Sequence, residues 1–225
     1  MRKLQMMLFI LCLSLGVKAQ TSANDVRLLQ ESIRDVYDSN IFNGSNPNYE
    51  VYLDDWDRGV IYSKLFTHST IAPIRYFVYN NEFHLVNNTK DTVVLNKFAQ
   101  IDSIVVADKK FIFTSYNMGT RTQTDYFQEL ACGKIKLLKH YTCVFVKGNQ
   151  RIATGYHTNT PNSYKIATQL FYQEEGQPAV LLPKKKNEII ALFDDPELAA
   201  YAKENKIKFK KEKHLQKLFK HVNAH

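Results

Sequence analysis

The sequence predicts an α+β fold: mainly an antiparallel β meander, closed as a roll or barrel or folded into two layers, with an N-terminal helix and a C-terminal helical tail. Three observations carry this. Residues 58–182 alternate short runs rich in Val, Ile, Tyr and Phe with turn residues, and most runs are joined by hairpin-length links. Residues 24–38 and 184–225 instead place apolar side chains at helical spacing. The chain, 225 residues at 44% hydrophobic and 23% charged with only 3 Cys, is too apolar for disorder and too poor in cysteine for a disulfide scaffold.

The elements follow in order. Arg2 and Lys3 precede an apolar run over 4–17, and Val17-Lys18-Ala19 forms a signal-peptidase pattern before Gln20. Residues 1–19 therefore read as a cleavable signal peptide. The run is shorter than the roughly 20 residues that a spanning helix needs. Cys12 lies within it rather than behind small residues at its end, against a lipid anchor. Val26, Leu29, Ile33 and Val36 then recur on one helical face, with Asn24 or Asp25 as cap. Strands are expected at 59–64, 74–79, 82–86, 92–95, 101–106, 111–114, 126–131, 135–146, 164–173 and 179–182. Asn80-Asn81 reads as a two-residue hairpin turn. The polar stretches 117–124 and 148–163 lack strand signals and read as loops. In the tail, Ile189, Ile190 and Phe193 share one side. Asp195-Pro196 starts a short helix ending near Asn205, and Leu215, Leu218, Phe219 and Val222 make a stripe on a last helix over 211–222. Such a stripe is expected to dock on the sheet. The organisation is thus a signal (1–19), a β-rich domain (20–183) and a basic tail (184–225) packed on that domain.

Charge is unevenly placed. Without the signal the chain holds 27 basic and 22 acidic residues, and residues 184–225 hold 11 and 6 of these. The excess therefore belongs wholly to the tail. Such a tail suits an anionic surface such as lipid headgroups or an acidic glycan, but lysines interspersed with acids read first as a solvated helix face that keeps the chain soluble; export makes nucleic acid a poor partner.

Several segments resemble a set of uncharacterised exported proteins of Bacteroidota-type bacteria. They are Tyr-Leu-Asp-Asp before Gly-Val-Ile-Tyr (52–62), Ile-Arg-Tyr-x-x-Tyr-Asn-x-Glu (74–82), Gly-Lys-x-x-Leu-Leu-Lys (133–139) and the lysine-rich tail from Lys184. The resemblance covers most of the chain after the signal. It implies an exported, periplasmic or secreted location, and no chemistry.

Catalytic patterns are sparse. Cys132, His140 and Cys143 offer an H-x-x-C spacing with His157 as the nearest further ligand, short of the paired spacings of a closed zinc site. A continuous strand over 134–143 would hold Cys132 and Cys143 about 30 Å apart, so two buried free thiols are expected rather than a disulfide. Asp54, Asp55 and Asp57 begin like a calcium loop, but the position that should supply its bidentate Glu is Phe66. No nucleophile elbow or phosphate-cradling glycine loop occurs, and no cofactor is indicated. The sequence thus points to an exported, non-catalytic binding or structural protein of the cell envelope, meeting an envelope protein, a glycan or a lipid. Its candidate contact residues are Lys210, Lys211, Lys213, Trp56 and His157. One alternative is a hydrolase assembled from scattered residues, with His157 beside Asp125 or Glu129. A second is a peripheral binder of the envelope surface through the lysine-rich tail.

Overall fold

A computed structural model describes residues 33–35, 51–63, 69–87, 90–95, 101–148, 161–193 and 195–224. Eleven strands form one antiparallel sheet, curled as a half-barrel. In chain order they are β1 (Ile33–Asp35), β2 (Asp57–Ser63), β3 (Thr70–Phe77), β4 (Glu82–Val86), β5 (Thr92–Leu95), β6 (Ile101–Val106), β7 (Lys109–Met118), β8 (Arg121–Ala131), β9 (Ile135–Val146), β10 (Ser163–Glu174) and β11 (Val180–Leu181). Across the sheet the order is β1-β5-β4-β3-β2-β6-β7-β8-β9-β10-β11. The meander therefore runs outward from β2 in both directions.

The curl suits a short β5–β6 link. In a flat sheet β5 and β6 would lie four strand spacings apart, about 19 Å before any rise along the strands. Only residues 96–100 join them, and six Cα steps reach about 21 Å. A flat sheet would leave that link almost fully extended; curling shortens the gap and encloses a core. Ile61, Ile74, Phe83, Leu85, Leu95, Ile104, Phe111 and Tyr126 point into it, each at most 1% exposed. Aromatic rings fill its centre: Phe83 lies 4.9 Å from Tyr126 and 5.1 Å from Phe111.

Side chains alternate across a strand, so Ile112 and Phe127, next to Phe111 and Tyr126, face the opposite way. There a second, smaller core forms. Ala179 N–H donates to Ser115 O at 2.8 Å and Asn117 N–H to Ala179 O at 2.9 Å, while β11 pairs with β10. The segment 179–181 thus ties β10 back to β7, and Ile112, Tyr116, Phe127, Leu138, Phe171 and Ala179 pack between them.

Helices α1 (Lys186–Ile190), α2 (Leu198–Glu204) and α3 (Glu212–Val222) complete the chain. Leu215, Leu218 and Phe219, at most 1% exposed, pack with Leu130, Ala131 and Leu137 of β8 and β9. The tail stripe therefore docks on the sheet. Asn223 fixes the dock: its Oδ1 accepts from Ile135 N–H (3.1 Å) and its Nδ2 donates to Ile135 O and Phe219 O (2.9 Å each). Gly133, at φ +139°, lies under this amide, and a Cβ there would sit 2.1 Å from Asn223 Cγ.

Several expectations need correction. Within the stretch expected to be the N-terminal helix, the described residues 33–35 are strand, paired with β5; the rest of that helix lies outside the described residues. The stretch 117–124 is no loop, because β7 and β8 run through it to a two-residue turn at Gly119-Thr120. Its Thr and Gln side chains face water on both sides, so no apolar alternation marks the strand. The β3–β4 link has four residues rather than two, since pairing stops at Phe77 and Glu82. Only Asn81 there has positive φ, +53°, whereas a two-residue type I′ turn needs two such residues. Cys132 and Cys143 are free as expected, but Cys132 is exposed at the β8–β9 turn and Cys143 only partly covered.

Buried phenols make the fold sensitive to alkali. Burial, and next the Asp125 charge, push Tyr76 and Tyr126 well above the usual tyrosine range. Below pH 10 both are neutral in either state. Above it the unfolded phenols lose protons that the folded ones keep, so stability falls as pH rises, by about 1.4 kcal/mol per pH unit for each phenol. Phenolate absorbance of these two rings is expected to appear together with the loss of β-sheet circular dichroism. Ionisation of both with the sheet intact would contradict their burial.

Candidate functional site

Two clusters compete for a functional role. The first is buried. β8 and β9 pair only over Gln128–Ala131 and Leu137–Lys139, and beyond this base the two hairpin arms part. Asn81, from the β3–β4 turn, enters the gap. Tyr126 N–H donates to Asn81 Oδ1 at 2.9 Å, and Asn81 Nδ2 lies 3.2 Å from His140 Nε2. Asp125 Oδ2 lies 3.1 Å from the same nitrogen. The imidazole is 3% exposed, stacked on Phe127 at 4.6 Å and bordered by Tyr116 and Phe171. The imidazole is walled in by rings, and the geometry of the pair suits a polar joint that holds the two arms to the β3–β4 turn. The carboxylates considered for a scattered hydrolase site are thus engaged. Asp125 meets His140, and Glu129 takes Lys110 at 2.8 Å. His157 lies outside the described residues.

The second cluster is open. Because Leu215, Leu218 and Phe219 face the sheet, Lys213, Gln216, Lys217 and Lys220 must face away, at the i, i+3/i+4, i+7 spacing that aligns side chains on one helix face. α2 lies alongside, and its Tyr201 stacks on His221 with centroids 3.5 Å apart and rings 2° from parallel. Asn205, the C-cap of α2, bridges the helices: its Nδ2 donates to Tyr201 O, and its Oδ1 accepts from Lys217 Nζ at 2.8 Å. The result is an open cleft of about 460 Å³ lined by Tyr201, Lys213, Gln216, Lys217, Lys220 and His221.

Among the described residues no carboxylate lines this cleft. Residues 206–225 contain seven Lys and a single acid, Glu212, and Glu212 is bound to Lys139 of β9 at 2.6 Å. Like charges one turn apart on a helix cost about 0.2–0.5 kcal/mol per pair. Lys213, Lys217 and Lys220 form two such pairs, and an anion held between them relieves that repulsion.

Of the residues expected from sequence, Lys213 lines the cleft. Lys210 and Lys211 are exposed just before α3 and do not line it. Trp56 stands apart on the sheet, with the Arg75 guanidinium 4.3 Å from its ring and 3.5 Å from that of Tyr52. One face of the indole is thus occupied. The Asp cluster beside it caps its own turn, with Trp56 N–H donating to Asp55 Oδ1, Arg58 N–H to Asp57 Oδ1 and Lys109 to Asp54. Among the described residues no group of His, Cys, Asp and Glu is placed to hold a metal ion, and no helix is long and apolar enough to cross a membrane. Lys217 and Lys220 were legible as a ladder in antiphase to the apolar stripe. Tyr201 and His221 needed the packing of α2 on α3.

Compared with known proteins, the chain matches no family model, and no curated protein or solved structure gives a significant match.

Proposed function

We propose that this is an exported, non-catalytic binding module that meets the anionic headgroups of an envelope membrane through the Lys213–Lys217–Lys220 face of α3. The supporting observation is the division of labour on that helix: Leu215, Leu218 and Phe219 of its apolar stripe are buried against β8 and β9, with Val222 partly covered, while its lysines line an open cleft without a carboxylate among the described residues. Contact is then electrostatic and peripheral, since the large apolar side chains Leu215, Leu218 and Phe219 of α3 are packed on the sheet. Each lysine near an anionic surface contributes about 1 kcal/mol, so three contribute about 3 kcal/mol, roughly a 150-fold change in partitioning.

The chain without residues 1–19 is expected to co-sediment with anionic phospholipid vesicles and not with zwitterionic ones, and to be released by salt. The variant Lys213→Glu/Lys217→Glu/Lys220→Glu is expected to stay in the supernatant. Equal binding to both vesicle types, or binding that survives the charge reversal, would overturn the reading. The alternatives of an envelope protein or a glycan as partner would then take its place.

A further inference from the structure

The cleft between α2 and α3 has features that a flat basic surface does not need. Lys213 and Lys220 are about 10.5 Å apart along the helix axis, with Lys217 between them on the same face. Three flexible arms on one side of two turns can close on a single small anion. One of them is already aimed. Asn205 Oδ1 accepts from Lys217 Nζ at 2.8 Å, and the same amide is fixed by its Nδ2, which donates to Tyr201 O at 3.1 Å. A neutral partner positions the ammonium without cancelling its charge, and two of its three N–H donors remain for a ligand. Tyr201 and His221, with rings 2° from parallel, give the cleft a stiff side, and Gln216 adds an amide. At about 460 Å³ the cleft falls among small-ligand sites, roughly 300–1,000 Å³. Its lining has no aliphatic side chain to receive an acyl tail, so it suits a polar headgroup.

The charge of the lining selects among headgroups. A phosphodiester brings a single negative charge to three ammonium groups. A phosphomonoester carries about −1.5 to −2 at neutral pH and three strong acceptor oxygens, one for each lysine. It therefore relieves more of the repulsion among Lys213, Lys217 and Lys220 than a diester does. A cationic headgroup finds no carboxylate among the described lining residues. The C-terminal ends of α2 and α3 bring about half a negative charge each, short of the three ammonium charges. A membrane presents this group better than free solution does. Lys210 and Lys211, exposed just before α3, can meet the surrounding anionic surface while the cleft holds one headgroup, so the two contacts reinforce each other.

Resting on the membrane contact proposed above, we infer that the cleft is a discrete site for a phosphomonoester borne on a lipid headgroup, one phosphate oxygen meeting each of Lys213, Lys217 and Lys220. The test compares two vesicle types matched in surface charge by electrophoretic mobility. One contains phosphatidic acid, a monoester, and the other phosphatidylglycerol, a diester. The chain without residues 1–19 is expected to bind the first about fivefold more tightly, the change that one further charge makes at such a surface. Equal binding to both would overturn the inference and leave the membrane contact standing, whereas binding to neither would overturn both. Asn205→Ala keeps every charge and frees Lys217. It is expected to cut the monoester-to-diester preference about threefold, the order of effect that freeing one long side chain has. Lys217→Gln, on the exposed face of α3, is expected to lower the same ratio and guards against an Asn205 variant that merely loosens α2. A ratio that neither variant changes would overturn the inference. Phosphorus NMR with soluble glycerol phosphate supplies the same group without a membrane. Shifts at millimolar concentration only are expected; saturation at micromolar concentration would give the site to a free phosphate and overturn the lipid-borne assignment.

Discussion

Replacing Asn223 by alanine is expected to lower the unfolding free energy by about 2–4 kcal/mol, seen as a drop in the urea midpoint at unchanged slope. Three hydrogen bonds leave with the amide, and the partly buried N–H and C=O of Ile135 lose their partners. Gly133→Ala is expected to cost more. Its backbone, at φ +139°, lies where residues with a Cβ are strained, and the new carbon would overlap the Asn223 amide at 2.1–2.3 Å and its Cβ at 2.5 Å. Either the β8–β9 turn or the end of α3 must move. The double variant discriminates: alanine at 223 removes the two closest overlaps, with Cγ and Oδ1, and leaves the one with Cβ at 2.5 Å, so the two losses should sum to more than the double variant shows. Strict additivity would mean that turn and helix are not clamped together. A loss of only about 1 kcal/mol for Gly133→Ala would mean that the helix end yields freely.

The second large effect is expected at Asn81. Alanine there strands the Tyr126 N–H in a buried setting, removes a partner of His140 and leaves a void between the arms of β8 and β9. About 3 kcal/mol is expected, from an unsatisfied buried donor at 1–3 kcal/mol and the residual void. Because Asn81 sits at φ +53°, glycine should be about 1 kcal/mol milder than alanine while losing the same contacts. Hydrogen exchange at Tyr126 should accelerate in both variants. Unchanged protection at that amide would show that Asn81 does not hold the gap.

Much of the sheet was legible because its strands are amphipathic over a full core. The limits of β4, β5, β6 and β9 follow directly from apolar alternation between turn residues. The legibility ends where that signal ends. The outer halves of β7 and β8 carry Asn, Thr, Gln and Arg on an arm that faces water, and resemble a loop by composition. Ile33–Asp35 sits in a helical periodicity yet pairs with β5, a tertiary preference that local spacing does not encode. The pairings β1–β5 and β2–β6 join strands far apart in sequence, and only the shortness of 96–100 hints at them. The cleft was half visible. The lysine ladder belongs to one helix and shows as a period, but Tyr201, Asn205 and His221 meet only through packing. The Asp125–His140–Asn81 joint was invisible for the same reason, as its members come from three separate strands and turns.

The bond between Asn223 and Ile135 spans 88 residues, and it sets a clock. At roughly 5–20 residues per second, the ribosome makes the residue that locks the β8–β9 turn about 4–18 s after the turn itself. Throughout that interval Leu130, Ala131 and Leu137 have no α3 to cover them. Wherever the chain folds, the β8–β9 turn therefore gains its lock only when the last helix is present.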